Sequence, residues 1–387
     1  MTATQAVAKQ KSTKQGRDTR RYDQTILVLQ GGGALGAYQA GVFEGMTEAG
    51  YAPNWVAGVS IGAINAALIA GNSPAQRIER LRAFWDLVSS GVPTGIPSTA
   101  PPSFDPLRRM FNRASATASA TLGVPGFFVP RVPPPLLMPQ GQPGALSVYN
   151  TQSLQNTLEH LVDFELINRR DMRFSVGAVN VRSGNSIYFD NLRTRIGSQH
   201  VMASGALPPA FAPVEIDTEH YWDGGIVSNT PLWYVLDDCP GVNVLIVQVD
   251  LFSARGEMPT NLDQVMERHK DIQYSSKTRF NTSRVREILE QRSTLRRLLK
   301  KLPKHLKSDP DVKMLETAVS GKHIDIVHFI NRRYSYSSHS KDYEFSRGTV
   351  RQLWETGLDD VRRTVAHPEW LRGSELGDGI RVYDLAR

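Results

Sequence analysis

Two glycine-rich turns within residues 27–70 constrain the fold of this chain more than any other feature. Thr25 to Leu29 is a short apolar run that ends at three glycines, and Ala34 to Ala49 then places apolar residues at helical spacing. Trp55 to Val59 is a second apolar run, followed by another glycine turn and a small-residue helix over Ala63 to Ala70. Two successive strand–turn–helix units predict a parallel sheet.

The second turn, Gly58-Val59-Ser60-Ile61-Gly62, has the G-x-S-x-G form of a nucleophile elbow. In such an elbow a sharp strand-to-helix turn lifts a serine hydroxyl above the sheet, and small flanking residues such as Gly58 and Gly62 prevent a clash. Ser60 is therefore the candidate nucleophile. The same pattern also fits a tight loop with a capping serine, because Gly and Ser are common turn residues.

The first glycine turn is a candidate oxyanion hole for an acyl-transfer reaction. Gly31, Gly32 and Gly33 present backbone amides at a helix N-terminus, where a developing oxyanion would be stabilised. Gly31, Gly33 and Gly36 also satisfy G-x-G-x-x-G, the pattern of a dinucleotide-binding fold. That alternative requires an acidic residue at the end of the second strand, and 57–60 contains no carboxylate.

A serine nucleophile needs a base, and the residues leave two kinds of partner open. Asp223 precedes Gly224 and Gly225 at an apparent strand end, although Asp-Gly-Gly is also typical of a hairpin turn. The chain also has nine histidines, none of which lies in a recognisable motif: His160, His200, His220, His269, His305, His323, His328, His339 and His367.

Four sequence blocks together resemble the motifs of the patatin-like phospholipases, in the order that this family shows. The blocks are Gly31-Gly32-Gly33-Ala34-Leu35-Gly36, Gly58-Val59-Ser60-Ile61-Gly62-Ala63-Ile64-Asn65-Ala66, Ala203-Ser204-Gly205-Ala206-Leu207-Pro208-Pro209-Ala210-Phe211-Ala212-Pro213 and Asp223-Gly224-Gly225. The resemblance covers about Gln24 to Asp250. It implies an α/β fold with three layers, α/β/α, around a mainly parallel central sheet.

The resemblance also implies a Ser–Asp dyad. In it Ser60 attacks an ester carbonyl, Asp223 takes the proton, and the amides of Gly31 to Gly33 hold the oxyanion. Many members of the family carry Lys or Arg where this chain has Leu35. A positive charge near the oxyanion turn is thus missing, which weakens the expectation of a preference for anionic headgroups.

Composition divides the chain into a tail, a catalytic domain and an extension. Residues 1–22 are predicted to be a disordered basic tail, with no apolar segment of a secretory signal. Residues 23–254 form the predicted catalytic domain. Residues 255–387 are predicted to be a basic, mainly helical extension with a strand near 323–330, and they resemble the extension of a bacterial subgroup of patatin-like proteins.

A proline-rich insertion lies between the candidate nucleophile and the candidate base. Residues 91–144 contain twelve prolines, and we expect no ordinary helix or central strand at that density. The apolar runs Gly126 to Pro130 and Leu136 to Met138 favour either a lid at an acyl-chain entrance or an irregular segment that covers the core.

The charge distribution points to one further surface. Met266 to Pro310 carries thirteen Lys and Arg against five acids, and its apolar residues predict an amphipathic basic helix near 282–304. Such a helix either docks on the protein or makes a peripheral contact with a membrane or lipid surface. No nucleic acid is expected as a partner, since no binding motif accompanies the charge. Cys239, the single cysteine, suits a reducing, cytoplasmic location.

These features predict a serine acyl hydrolase that cleaves carboxylic esters of lipids through an acyl-Ser60 intermediate. No metal or organic cofactor is implied. Two alternatives stay open: an α/β-hydrolase with a Ser-His-Asp triad, and a non-catalytic lipid-binding or scaffold protein. The sequence does not select the acyl group, the headgroup or the oligomeric state.

Overall fold

A mixed, mainly parallel sheet forms the centre of the protein. The computed structural model describes residues 22–91, 104–239, 243–275, 278–319, 324–332, 338–367 and 380–384. Its strands are β1 Gln24–Leu29, β2 Trp55–Val59, β3 Val129–Pro130, β4 Tyr149–Asn150, β5 Arg173–Asn180, β6 Ser186–Asp190, β7 Val214–Ile216, β8 Glu219–Asp223, β9 Val244–Asp250, β10 Ile324–Ile330 and β11 Ile380–Tyr383. Its α-helices are α1 Ala37–Glu48, α2 Ile61–Ala70, α3 Arg77–Val88, α4 Asp105–Leu122, α5 Gln152–Leu161, α6 Phe164–Asn168, α7 Ser198–Ser204, α8 Leu232–Asp237, α9 Leu262–Tyr274, α10 Thr278–Lys300, α11 Pro310–Val319 and α12 Arg347–Ala366.

Two hydrophobic cores lie on opposite faces of this sheet. In β1, Leu27 and Leu29 pack into the larger core with α1, α2, α3 and α12, whereas Ile26 and Val28 pack into a smaller core with Leu232 of α8. Burial on both faces explains why the inner strands are continuous apolar runs rather than alternating ones. The expected α/β fold, with three layers and a mainly parallel sheet, is confirmed.

The sheet changes from parallel to antiparallel at β5. The strand order is β11-β10-β9-β1-β2-β5-β8-β7, and neighbouring strands are parallel from β11 to β5. On β5, Gly177 faces Val59 of β2 and the next residue, Ala178, faces Asp223 of β8. Because β6 occupies the other edge over the same residues, β2 and β8 share one edge and meet end to end. This register brings residue 60 next to Asp223.

The C-terminal extension is built into the same sheet and core. The strand predicted near 323–330 is confirmed as β10, which pairs parallel with β9, while His323 itself lies outside the described residues. Helix α12 packs against α1, where the hydroxyl of Tyr38 donates to Asp360 at 2.6 Å. The extension therefore belongs to the same fold as residues 23–254.

The prediction that the insertion at 91–144 contains no ordinary helix was wrong. Helix α4 is 18 residues long and lies within it. Its single proline, Pro106, occupies the first turn, where a missing backbone N–H costs no intrahelical hydrogen bond. The remaining prolines of the insertion lie before or after α4 in the sequence. The proline density of the whole segment therefore did not indicate where a helix can form. Residues 92–103 lie outside the described ranges.

The two basic segments are only partly described. The helix predicted near 282–304 corresponds to α10, in which Leu299 is buried and the neighbouring Leu298 and Lys300 are exposed. Of the tail predicted at 1–22, only Tyr22 is described, and its hydroxyl donates to Asp325. Within the described ranges, no helix combines the length and hydropathy that crossing a membrane requires.

Candidate active site

Ser60 lies on a strained turn between β2 and α2. Its backbone has φ 57° and ψ −123°, a region that non-glycine residues rarely occupy outside sharp functional turns. The flanks admit no side chain, because a Cβ on Gly58 would lie 2.3 Å from the Gly62 carbonyl oxygen and one on Gly62 would lie 2.4 Å from that of Leu29. This is the geometry of a nucleophile elbow, with Ser60 at the N-terminus of a buried helix.

The elbow is held by the third sequence block. The backbone amide of Ser60 donates to Ser204, the last residue of α7. The Asp223 amide donates to the carbonyl of Ala206 at 3.0 Å. One short segment, 204–206, thus fixes the backbone of both candidate catalytic residues.

Asp223 ends β8 and is only 2% exposed. Its Oδ1 accepts a hydrogen bond from the Gly225 amide at 2.7 Å, and Ser60 lines the same cavity as the Asp223 carboxylate. Burial raises the pKa of Asp223 to about 6, although interactions with the Gly225 amide and the Ser60 side chain act in the opposite direction. Gly224 packs against the Gly177 carbonyl, which keeps this turn close to β5.

The first glycine turn faces the elbow across the cavity. The Gly31 amide already donates to the Asn229 carbonyl at 3.1 Å, and the Asn229 side-chain amide donates back to the Gly31 carbonyl at 3.1 Å. Among the described residues, no group accepts a hydrogen bond from the amides of Gly32 or Gly33. Of the three expected oxyanion donors, these two are the ones available to a ligand.

One cavity, partly open to solvent, connects these groups. Aromatic side chains from distant segments form much of its wall, among them Phe127 and Phe128 of the insertion, Phe211 of the third block and Phe345 of the extension. The ring centroids of Phe127 and Phe345 are 6.0 Å apart, and those of Phe128 and Phe211 are 5.4 Å apart. Among the described residues that line this cavity there is no histidine.

The extension closes the cavity beside the oxyanion turn. Asp342 and Tyr343 line the cavity, and the Asp342 carboxylate accepts a hydrogen bond from Lys270 of α9 at 2.7 Å. Lys341 binds Asp271 of the same helix at 2.5 Å. Burial, reinforced by the charge of Asp342, raises the pKa of Tyr343. The loop around residue 342 is thus fixed to α9.

Sequence reasoning selected Ser60 and Asp223 as candidates but missed the residues that position them. Ser204 and Asn229 lie inside or just after the quoted motif blocks, so their location was a usable signal. Asp342 and Tyr343 had no such signal, because they come from a distant part of the chain with no recognised pattern. The lid interpretation of 91–144 stays a prediction; the structure shows Phe127 and Phe128 buried in the cavity wall and Leu136 exposed.

Comparison with known families agrees with this geometry. The family model described as "Patatin-like phospholipase" matches residues 27–236, which is more than half of the chain. The chain belongs to the patatin-like phospholipase family. A second family model, described as "Patatin phospholipase", matches residues 272–375 of the extension. The resemblance inferred from the four blocks is therefore confirmed, and the family supports lipid acyl hydrolysis as the class of activity.

Two solved structures are more distantly similar to this patatin-like chain. VipD from Legionella pneumophila is 15% identical, with a TM-score of 0.34, and the match covers 87% of this chain and 67% of VipD. ExoU from Pseudomonas aeruginosa, solved in complex with SpcU, is 16% identical, with a TM-score of 0.28. This match covers 92% of this chain and 76% of the ExoU chain. No curated protein is similar enough in sequence to count as a match.

Proposed function

We propose that this patatin-like protein is a serine acyl hydrolase that cleaves carboxylic esters of lipids with a Ser60–Asp223 dyad. The observation that carries the proposal is that Ser60, on its strained elbow, and the buried Asp223 carboxyl group line one cavity together with Gly32 and Gly33. The aromatic cavity beside it suits an acyl chain.

Acylation begins when Ser60 Oγ attacks the ester carbonyl carbon while Asp223 accepts the hydroxyl proton. The carbonyl oxygen becomes an oxyanion, which the amides of Gly32 and Gly33 and the positive end of the adjoining helix stabilise. When the carbon–oxygen bond to the leaving alcohol breaks, Asp223 returns the proton to that alcohol. The products are the free alcohol and acyl-Ser60.

Deacylation repeats these steps with water. Asp223 takes a proton from the attacking water, and the second tetrahedral intermediate collapses to a carboxylic acid while the proton returns to Ser60 Oγ. A pKa of about 6 suits both tasks. The carboxylate is mostly ionised at neutral pH, and it is a stronger base than an ordinary aspartate.

The alternative mechanism, a Ser-His-Asp triad, is disfavoured because no histidine among the described residues lines the cavity. A peripheral lipid contact through α10 and a cytoplasmic location follow from charge and cysteine content alone. A catalytically silent scaffold would keep the cavity without turning over esters.

A fluorophosphonate probe separates the enzyme from the scaffold. We expect it to label the wild type and to miss Ser60→Ala, which should also lose hydrolysis of p-nitrophenyl butyrate while remaining folded. Ser183→Ala, at an exposed turn, is the matched control and should be labelled normally. Equal labelling of Ser60→Ala and the wild type would refute the assignment of Ser60.

A further inference from the structure

A second, open groove adjoins the catalytic cavity. Ala210 and Tyr343 line both spaces, so the two are neighbours across these side chains. A molecule that reacts at Ser60 and extends past Tyr343 would enter the groove.

The walls of the groove are mostly apolar. Helix α4 of the insertion contributes Ala116, Thr117 and Ala120, and α9 of the extension contributes Leu262 and Met266. Val148 and Pro209 also line the groove. Leu262 is 75% exposed and Met266 is 48% exposed, so apolar surface faces solvent beside the active site. Such surface is costly to leave in water and indicates an apolar ligand.

The charged residues of the groove satisfy one another. Asp263 of α9 binds Arg113 of α4 at 2.8 Å and Nδ1 of His339 at 2.5 Å. Arg113 and Asp263 together carry no net charge, so this end of the groove does not select an anionic headgroup. The contacts also tie the two helical walls together, which fixes the width of the groove.

We propose that this groove binds the second, non-reacting hydrocarbon chain of a two-chain lipid, an inference that rests on the proposed ester hydrolysis. The scissile acyl chain occupies the aromatic cavity, and the remainder of the lipid crosses Tyr343 and Ala210 into the groove. The insertion and the extension thereby build a subsite that the Ser–Asp dyad itself does not require.

The test fills the groove with a bulky ring and compares substrates with the same headgroup. Thr117→Trp and Met266→Trp add a ring from opposite walls. Leu107→Trp is the control, since Leu107 is an exposed residue of α4 that does not line the groove. Substrates are diacyl phosphatidylcholine, its monoacyl counterpart and p-nitrophenyl butyrate, with rates normalised to active sites titrated by a fluorophosphonate.

We expect both groove variants to lose about tenfold in kcat/KM on the diacyl lipid, the equivalent of roughly two buried methylene groups. Their rates on the other two substrates, and all rates of Leu107→Trp, should stay within about twofold. Equal losses of kcat/KM on the diacyl and the monoacyl lipid would mean that the groove binds the headgroup. No loss of kcat/KM on either lipid would mean that the groove binds no part of the substrate. Either result would overturn the proposed subsite.

The wild type separates the two proposals. Hydrolysis of the short ester and the monoacyl lipid without any hydrolysis of the diacyl lipid would overturn the subsite and leave the proposed function intact. A wild type that hydrolyses none of the three esters would overturn the proposed function itself.

Discussion

The backbone amide of Ser60 donates to both the carbonyl oxygen and the hydroxyl oxygen of Ser204, each at 3.1 Å. The Ser204 hydroxyl in turn donates to the Gly177 carbonyl of β5 at 2.6 Å. A single buried side chain therefore connects the strained elbow to β5, the strand that pairs with both β2 and β8 and so brings Ser60 and Asp223 together.

Ser204→Ala should lower kcat on p-nitrophenyl butyrate by roughly tenfold with little change in KM, because the elbow loses one anchor but keeps the Ser204 carbonyl. The free energy of unfolding should fall by about 1–2 kcal/mol. Ser175→Ala is the control: Ser175 is a buried serine on β5 whose hydroxyl donates to Asp190 away from the site, and its loss should affect stability alone. Equal effects of the two variants on kcat would contradict the positioning role.

Gly33→Ala should abolish most activity. Gly33 has φ +55°, and a Cβ there would lie 2.3 Å from the Asp342 carbonyl oxygen, so the oxyanion turn or the loop at Asp342 must move. Gly184→Ala shares the positive φ, at +69°, but has no atom within 4 Å of the added Cβ. Both variants should lose about 1 kcal/mol of stability from backbone strain, yet only Gly33→Ala should lose about a hundredfold or more in kcat. Comparable kcat values would show that the turn tolerates movement.

The pH–rate profile should follow the ionisation of Asp223. Burial raises its pKa to about 6, and only the carboxylate accepts the Ser60 proton. Hydrolysis, measured as kcat/KM, should therefore fall about tenfold per pH unit below pH 6. A profile that stays flat down to pH 4 would contradict a buried aspartate base.

Stability should depend on pH in the opposite sense. Since the folded pKa of Asp223 is raised, its carboxyl costs nothing well below pH 4. The cost grows between about pH 4 and pH 6, where the carboxyl is ionised in the unfolded chain but still protonated in the folded protein. Asp223→Asn does not titrate. Its free energy of unfolding relative to the wild type should therefore increase by on the order of 2 kcal/mol between pH 4 and pH 7 in urea titrations. A difference that is independent of pH would show that the carboxylate is well solvated.

Strands and helices were predictable from the sequence where neighbouring residues alone determine them. Trp55–Val59 is an uninterrupted apolar run bounded by turn residues, and the structure has β2 with those bounds. Helix α4 was missed because proline density was averaged over the insertion, whereas the position of Pro106 is what decides helix formation.

The residues that surround Ser60 and Asp223 were harder to predict than Ser60 and Asp223 themselves. The motif blocks identified Ser60 and Asp223, but their proximity depends on β2 and β8 sharing one edge of β5, which no local pattern encodes. The same holds for Tyr343, which reaches the cavity only because β10 and α12 return the chain to the core. Contacts between residues so distant in sequence leave no periodicity to detect.

The most direct test of the dyad is kcat of Asp223→Asn on p-nitrophenyl butyrate at pH 8, with His200→Gln as the control. His200 is a buried histidine on α7, the helix that carries Ser204. We expect Asp223→Asn to lose about 10²–10⁴-fold in kcat with KM little changed, because it keeps the side-chain shape but loses the proton acceptor, while His200→Gln keeps most of its rate. An Asp223→Asn enzyme with near-wild-type kcat, or a His200→Gln enzyme as impaired as Ser60→Ala, would contradict the Ser60–Asp223 dyad.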